Sequence, residues 1–149
     1  MKLCMIGTGY VGLVSGACFA DLGNSVICVD KDNKKIDLLS KGKIPIYEPG
    51  LTELVNKNYK NKRLRFSKDL KKSIKDSDII FICVGTPTKK GGSSADLSQI
   101  FKAATEISLS INKFKIIVTK STVPVTTGDQ IEKILKKKNS SKKFSVVSN

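Results

Sequence analysis

Histidine is absent from the 149 residues, and arginine occurs only as Arg63 and Arg65 among 27 basic side chains. Cys4, Cys18, Cys28 and Cys83 are nowhere spaced as CxxC, so neither a zinc site nor Cys-His catalysis has the residues it needs. No run reaches the roughly 18 to 20 apolar residues that a membrane span requires. Acidic residues are also scarce, 13 against the 27 basic ones, giving a net charge of +14. That balance raises the question of nucleic acid, whose phosphates reward a basic face. Direct base readout leans on arginine forks, however, and the excess here is lysine with few interleaved aromatics. The densest run, Lys136-Lys137-Lys138, closes a helical pattern, where cations suit the helix dipole. The charge therefore reads as a lysine-rich surface, without a nucleic-acid or membrane partner.

What is present has globular composition, 40% hydrophobic and 27% charged, and the length suits one domain with one substantial core. Three cysteines sit in the apolar runs Leu3-Ile6, Val26-Val29 and Ile79-Val84, which read as buried strands. Free buried thiols fit a reducing compartment, so the expected location is cytoplasmic. Val11 to Ala20 is apolar, but three glycines interrupt the approach and Asp21 follows at once, so it reads as a buried helix and not as a signal peptide.

Apolar runs alternate with helical periods along the whole chain. Strands are predicted at Lys2-Ile6, Ser25-Val29, Leu64-Phe66, Asp78-Val84, Lys115-Val118 and Phe144-Val147. Helices are predicted at Val11-Leu22, Asp30-Ser40, Lys68-Lys75, Asp96-Ser110 and Thr127-Lys138. Between residues 41 and 63 the chain reads as a polar connection, in which Pro49-Gly50 marks a turn and Leu51-Val55 opens a short helix. Uninterrupted apolar runs suit parallel strands covered on both faces. The fold class is therefore α/β, a Rossmann-type doubly wound parallel sheet of about six strands with helices on both faces.

Gly7-Thr8-Gly9-Tyr10-Val11-Gly12 follows the first strand and opens the first helix, the setting in which GxGxxG binds a dinucleotide. Gly7 permits the tight turn, Gly9 lets a pyrophosphate approach the backbone, and Gly12 lets helix and strand pack closely. Free N–H groups at the helix start then meet the phosphates. Asp30 lies 18 residues past Gly12, where a carboxylate accepts from the adenosine ribose. A 2′-phosphate within about 4 Å of it would meet roughly 4 kcal/mol of repulsion per unit charge at an effective dielectric near 20. Lys31, Lys34 and Lys35 offset only part of this, since exposed pairs are worth about 1 kcal/mol or less. NAD is therefore expected over NADP. Val84-Gly85-Thr86-Pro87 and Ser121-Thr122-Val123-Pro124 leave strand ends beside the same crevice; taken alone, either also reads as a cap for the following helix.

Gly7 to Leu13, Pro45-Ile46-Tyr47-Glu48-Pro49-Gly50-Leu51, Val84 to Pro87 and Lys120 to Pro124, in this order, resemble the UDP-glucose/GDP-mannose dehydrogenase family. The resemblance covers residues 1–149 and implies an NAD-binding domain. Thr8 and Tyr47 are closer to the UDP-glucose branch than to the GDP-mannose one, with UDP-N-acetylmannosamine a third family substrate. It further implies a four-electron oxidation of a sugar C6 alcohol with two NAD, through a cysteine thiohemiacetal and thioester. Val11, Asp30, Lys35, Thr86 and Thr122 are implied cofactor contacts, Thr122 also ordering an active-site water. With the turn and loop residues, the candidate cofactor-binding set is Gly7, Gly9, Tyr10, Val11, Gly12, Asp30, Lys35, Gly85, Thr86, Ser121 and Thr122.

Two positions depart from the family pattern. Thr126-Thr127 stands where glycine-threonine is usual, and Gly91-Gly92-Ser93-Ser94 is a longer turn. The family's catalytic cysteine, its active-site lysine and asparagine, its dimerising central helix and its UDP-binding domain have no counterpart here. The chain is accordingly expected to be an excised cofactor domain, with no catalytic residue of its own. UDP-glucose turnover and homodimer formation are expected only of a longer protein.

Overall fold

The computed structural model describes residues 1–89, 94–138 and 144–149. Gly91, Gly92 and Ser93, from the longer turn noted above, lie outside them. Six strands form one sheet: β1 (Lys2–Ile6), β2 (Ser25–Val29), β3 (Leu64–Ser67), β4 (Ile79–Ile82), β5 (Lys115–Thr119) and β6 (Phe144–Ser148). Their spatial order is β3-β2-β1-β4-β5-β6 and every pairing is parallel. This is the doubly wound dinucleotide-binding order, with the reversal between β1 and β4.

Alternation along the strands divides the core in two. Leu3, Met5, Val26 and Cys28 point to one face, where α1 (Tyr10–Asp21), α2 (Asn33–Ser40) and α3 (Leu51–Lys60) cover them with Leu13, Ala17, Leu39 and Val55. Cys4, Ile6, Val29, Ile80 and Ile82 point to the other. There α4 (Leu70–Asp76), α5 (Ser98–Ser110) and α6 (Thr127–Lys138) supply Ile74, Ile100, Ala104, Ile107, Ile131 and Leu135.

The strands agree with the sequence expectation to within two residues, and the helices differ in two places. α2 starts at Asn33 because the Asp32 carboxylate caps it, accepting from the Lys34 and Lys35 N–H groups. The short helix expected to open at Leu51–Val55 is the ten-residue α3, which continues to Lys60 through the stretch read as a polar connection. Leu51 and Val55 are buried on it, and Leu54 packs alongside them. Each such aliphatic side chain contributes about 1.5–3 kcal/mol when fully buried. Asn58, also buried, donates from Nδ2 to Asp21 Oδ1 at 3.1 Å, and the Tyr59 ring stacks on Phe66 of β3. α3 thus docks through three kinds of contact, only one of them aliphatic, which is why its apolar stripe is thin.

Cys4, Cys28 and Cys83 are buried as expected, Cys83 just past the end of β4, while Cys18 is exposed on α1. At the start of β5, Lys115 is fully buried, its Nζ donating to Ser77 O at 2.6 Å and Lys75 O at 3.1 Å. It holds the last carbonyls of α4 and ties that helix end to β5. Burial, with Lys113 close by, lowers its pKa below the ordinary lysine value. Among the described residues no helix is long and apolar enough to cross a membrane.

Candidate functional site

Because all strands run parallel, their carboxyl ends share one rim, and a cleft of about 470 Å³ opens there where the strand order reverses. Gly7 lies at its base with φ +102°, a conformation that excludes side chains, and donates its N–H to Val29 O at 2.7 Å. A Cβ on Gly12 would fall 1.9 Å from Gly7 O and 3.1 Å from Cys83 Cβ. Gly12 therefore lies beneath the turn and lets α1 close onto β4. A Cβ on Gly9 would meet no protein atom within 4 Å.

Gly9 is also the residue from which α1 springs, with no side-chain cap and no acidic residue in the first turn. The first N–H groups of the helix and its positive end thus remain available to an anion. Tyr10 and Val11 are exposed at this helix start. The Tyr10 hydroxyl donates to Glu48 Oε2 at 2.5 Å, which raises its pKa and joins the Pro45–Leu51 motif to the glycine turn.

Asp30 leaves β2 at the same rim. Its Oδ2 accepts from Thr8 N and Thr8 Oγ1, both at 2.8 Å, with Lys35 Nζ at 3.6 Å; its Oδ1 accepts from Asp32 N at 3.0 Å. Burial pushes the carboxyl upward. The Asp32 and Thr8 hydrogen bonds, helped by the Lys35 charge, outweigh this and leave its pKa below the ordinary carboxylate value.

Of the candidate residues, Gly7, Gly9, Asp30, Lys35 and Gly85 line the cleft. Tyr10, Val11, Gly12, Thr86, Ser121 and Thr122 are not among its lining residues; the last three lie in the loops after β4 and β5. Ser121 Oγ donates to Val84 O at 2.7 Å and Thr86 Oγ1 to Thr122 O at 3.3 Å, so the loops after β4 and β5 are cross-linked. Thr126 is exposed, and Thr127 is buried at the start of α6.

Sequence reasoning missed the polar wall of the cleft. Gln99, Lys102 and Glu106 line it from α5, and Lys68 and Leu70 from the β3–α4 junction. Lys31 Nζ reaches Gln99 Oε1 at 3.3 Å across the opening. A signal existed, since positions 99, 102, 103 and 106 share one helix face. The floor is apolar, made by Ile6, Val29, Val84 and Ala103. Cys83 also lines the cleft, and burial pushes its thiol up to about 12.

This chemistry fits a dinucleotide: an open glycine and uncapped helix for the pyrophosphate, a carboxylate for the ribose, and an apolar floor for a ring. Comparison with known proteins agrees. A model of the UDP-glucose/GDP-mannose dehydrogenase family, NAD binding domain, matches residues 1–149. A UDP-glucose 6-dehydrogenase of Rhizobium meliloti is 54% identical over all of this chain and 34% of its own length. One of Bacillus subtilis is 52% identical over 99% of this chain and 32% of its own length. The chain thus spans about a third of the length of these curated relatives. Among solved structures, a ternary complex of GDP-mannose dehydrogenase from Pseudomonas aeruginosa superposes with TM-score 0.94 at 38% identity, over all of this chain and 36% of that one. A UDP-glucose dehydrogenase from Pyrobaculum islandicum does so with TM-score 0.92 at 34% identity, over 99% of this chain and 35% of that one. The chain binds NAD and belongs, over its whole length, to the UDP-glucose/GDP-mannose dehydrogenase family as its NAD binding domain.

Proposed function

We propose that this chain is the cofactor part of a longer cytoplasmic enzyme, a UDP-glucose 6-dehydrogenase that converts UDP-glucose to UDP-glucuronate with two NAD. The observation that carries this reading is the identity of 54% and 52% to two UDP-glucose 6-dehydrogenases over essentially the full chain. Structural similarity alone favours a second reading, oxidation of GDP-mannose, because the superposition of TM-score 0.94 is on a GDP-mannose dehydrogenase. Higher sequence identity supports the first.

Bound NAD supplies a hydride acceptor; the chain's own residues supply its seat. Gly7, Gly9 and the first N–H groups of α1, those of Tyr10, Val11 and Gly12, hold the pyrophosphate. Asp30 accepts from the adenosine ribose, and Lys35, with its Nζ 3.6 Å from Asp30 Oδ2, is the second contact there. Gly85 allows close approach on the β4 side. The cross-linked loops bearing Thr86, Ser121 and Thr122 would border the nicotinamide end, where Thr122 would help order an active-site water, a reading supported by the tie between the two loops.

None of the four thiols suits covalent catalysis. Cys4, Cys28 and Cys83 are buried with raised pKa values, and Cys18 is exposed on α1 and does not line the cleft. The thioester step therefore belongs to a cysteine elsewhere in the longer protein, which we take to dimerise through its central helix. The test is a complete protein assayed with UDP-glucose, GDP-mannose and UDP-N-acetylmannosamine. Two NADH per UDP-glucose is the expected result, with no turnover by the 149-residue chain alone. One NADH per sugar, or preference for another nucleotide sugar, would overturn the assignment.

A further inference from the structure

We propose that Thr8 is a positioning residue that fixes Asp30 for ribose recognition and thereby sets the preference for NAD over NADP. Thr8 is fully buried, so it does not touch the cofactor itself. Its backbone N–H and its hydroxyl both donate to the same oxygen, Asp30 Oδ2, at 2.8 Å. A carboxylate has about four acceptor positions, two on each oxygen. Both on Oδ2 are taken by Thr8, and Asp32 N takes one on Oδ1 at 3.0 Å. One acceptor position on Oδ1 is left for a ribose hydroxyl.

The second torsion of an aspartate is soft and roughly two-fold, so nothing intrinsic to Asp30 selects this presentation. Its donors select it. Of these, the Thr8 hydroxyl is the one that a single side-chain change removes while the Thr8 and Asp32 backbone bonds remain. Losing it frees an acceptor on Oδ2 and lets the carboxylate turn. Held in this presentation, the ionised Asp30 keeps its charge turned toward the ribose, where it repels a 2′-phosphate.

The test is calorimetric titration of the chain and its T8V, T8S and T8A variants with NAD and with NADP, alone and combined with Asp30→Asn. The chain should bind NAD more tightly than NADP. T8V should weaken NAD binding about tenfold, the lower range for the ribose hydrogen bond that a turned carboxylate no longer makes, without weakening NADP in proportion, so the preference narrows. T8S, which keeps the hydroxyl, should restore the original preference. T8A covers the case in which the extra methyl of T8V disturbs the turn, and should behave as T8V does. In the Asp30→Asn background the Thr8 substitutions should add little, because the two side chains act as one unit.

Unchanged preference in both T8V and T8A would overturn the proposal, as would full additivity with Asp30→Asn. Failure of T8S to restore it would do the same. A parent chain that binds NADP as tightly as NAD would overturn the charge argument at Asp30 before any Thr8 variant is read.

Discussion

Gly9 and Gly12 stand three residues apart in one motif, yet the structure gives them opposite roles, and alanine at each should separate the two. At Gly12 the added Cβ would lie 1.9 Å from Gly7 O, far inside van der Waals contact, with Cys83 Cβ at 3.1 Å behind it. Gly7 is itself tied down, its N–H donating to Val29 O at 2.7 Å. Either α1 or the end of β4 must move. Overpacking of this kind costs typically 1–3 kcal/mol, a fall in melting temperature of roughly 2 to 12 °C for a domain of this size. At Gly9 a Cβ meets nothing within 4 Å and the backbone, φ −71°, already suits alanine. Stability should change by no more than about 0.5 kcal/mol. Binding should not be spared, since the new methyl occupies the path by which a pyrophosphate reaches the helix N–H groups. Each bond lost to a charged group costs about 1.5–3 kcal/mol, or roughly ten- to a hundredfold in affinity. Thermal melting and NAD titration on G9A and G12A check both halves. Equal melting temperatures for the two variants, or G9A binding NAD as the parent does, would refute the reasoning.

Lys115→Met keeps the apolar stem but leaves the Ser77 and Lys75 carbonyls without their donor, so denaturant unfolding should show a loss of about 1–3 kcal/mol. Lys115→Ala adds an unfilled space and should lose more. Asp78, held below its ordinary value of 3.8 by the Lys113 hydrogen bond, and Asp30, lowered despite its burial, are both more acidic in the folded chain than in the unfolded one. Their stabilisation is complete above that ordinary value and fades as pH falls through the folded pKa. Unfolding followed from about pH 6 down to about pH 2 should show this decline, and Asp78→Asn should make it shallower.

Strand positions were legible because fully covered parallel strands are written as plain apolar runs such as Ile79 to Val84. The glycine turn and Asp30 were legible because their roles depend on local geometry at fixed spacing. α3 was obscured because Asn58 and Tyr59 do part of its docking through a carboxylate and a ring that come from α1 and β3. Glu48 declared no chemistry in sequence since its partner, Tyr10, lies 38 residues away. The α5 wall was hidden for a related reason. Gln99, Lys102 and Glu106 look like an ordinary solvated face until the sheet order brings Asp30 and Lys31 opposite them.

The uniform direction of the six strands also gives the domain a working edge and a handling edge. The loops after β1, β2, β4 and β5 that make the site all leave a strand at its carboxyl end. The returns into the strands, at residues 22–24 before β2, 61–63 before β3 and 111–114 before β5, gather at the far rim. Asn112 and Lys113 are exposed there. A fluorophore, an affinity tag or a surface anchor attached at Asn112 would be carried by the same rigid sheet yet stand away from the cofactor. The fold thus comes with its own point of attachment for instruments that watch NAD arrive.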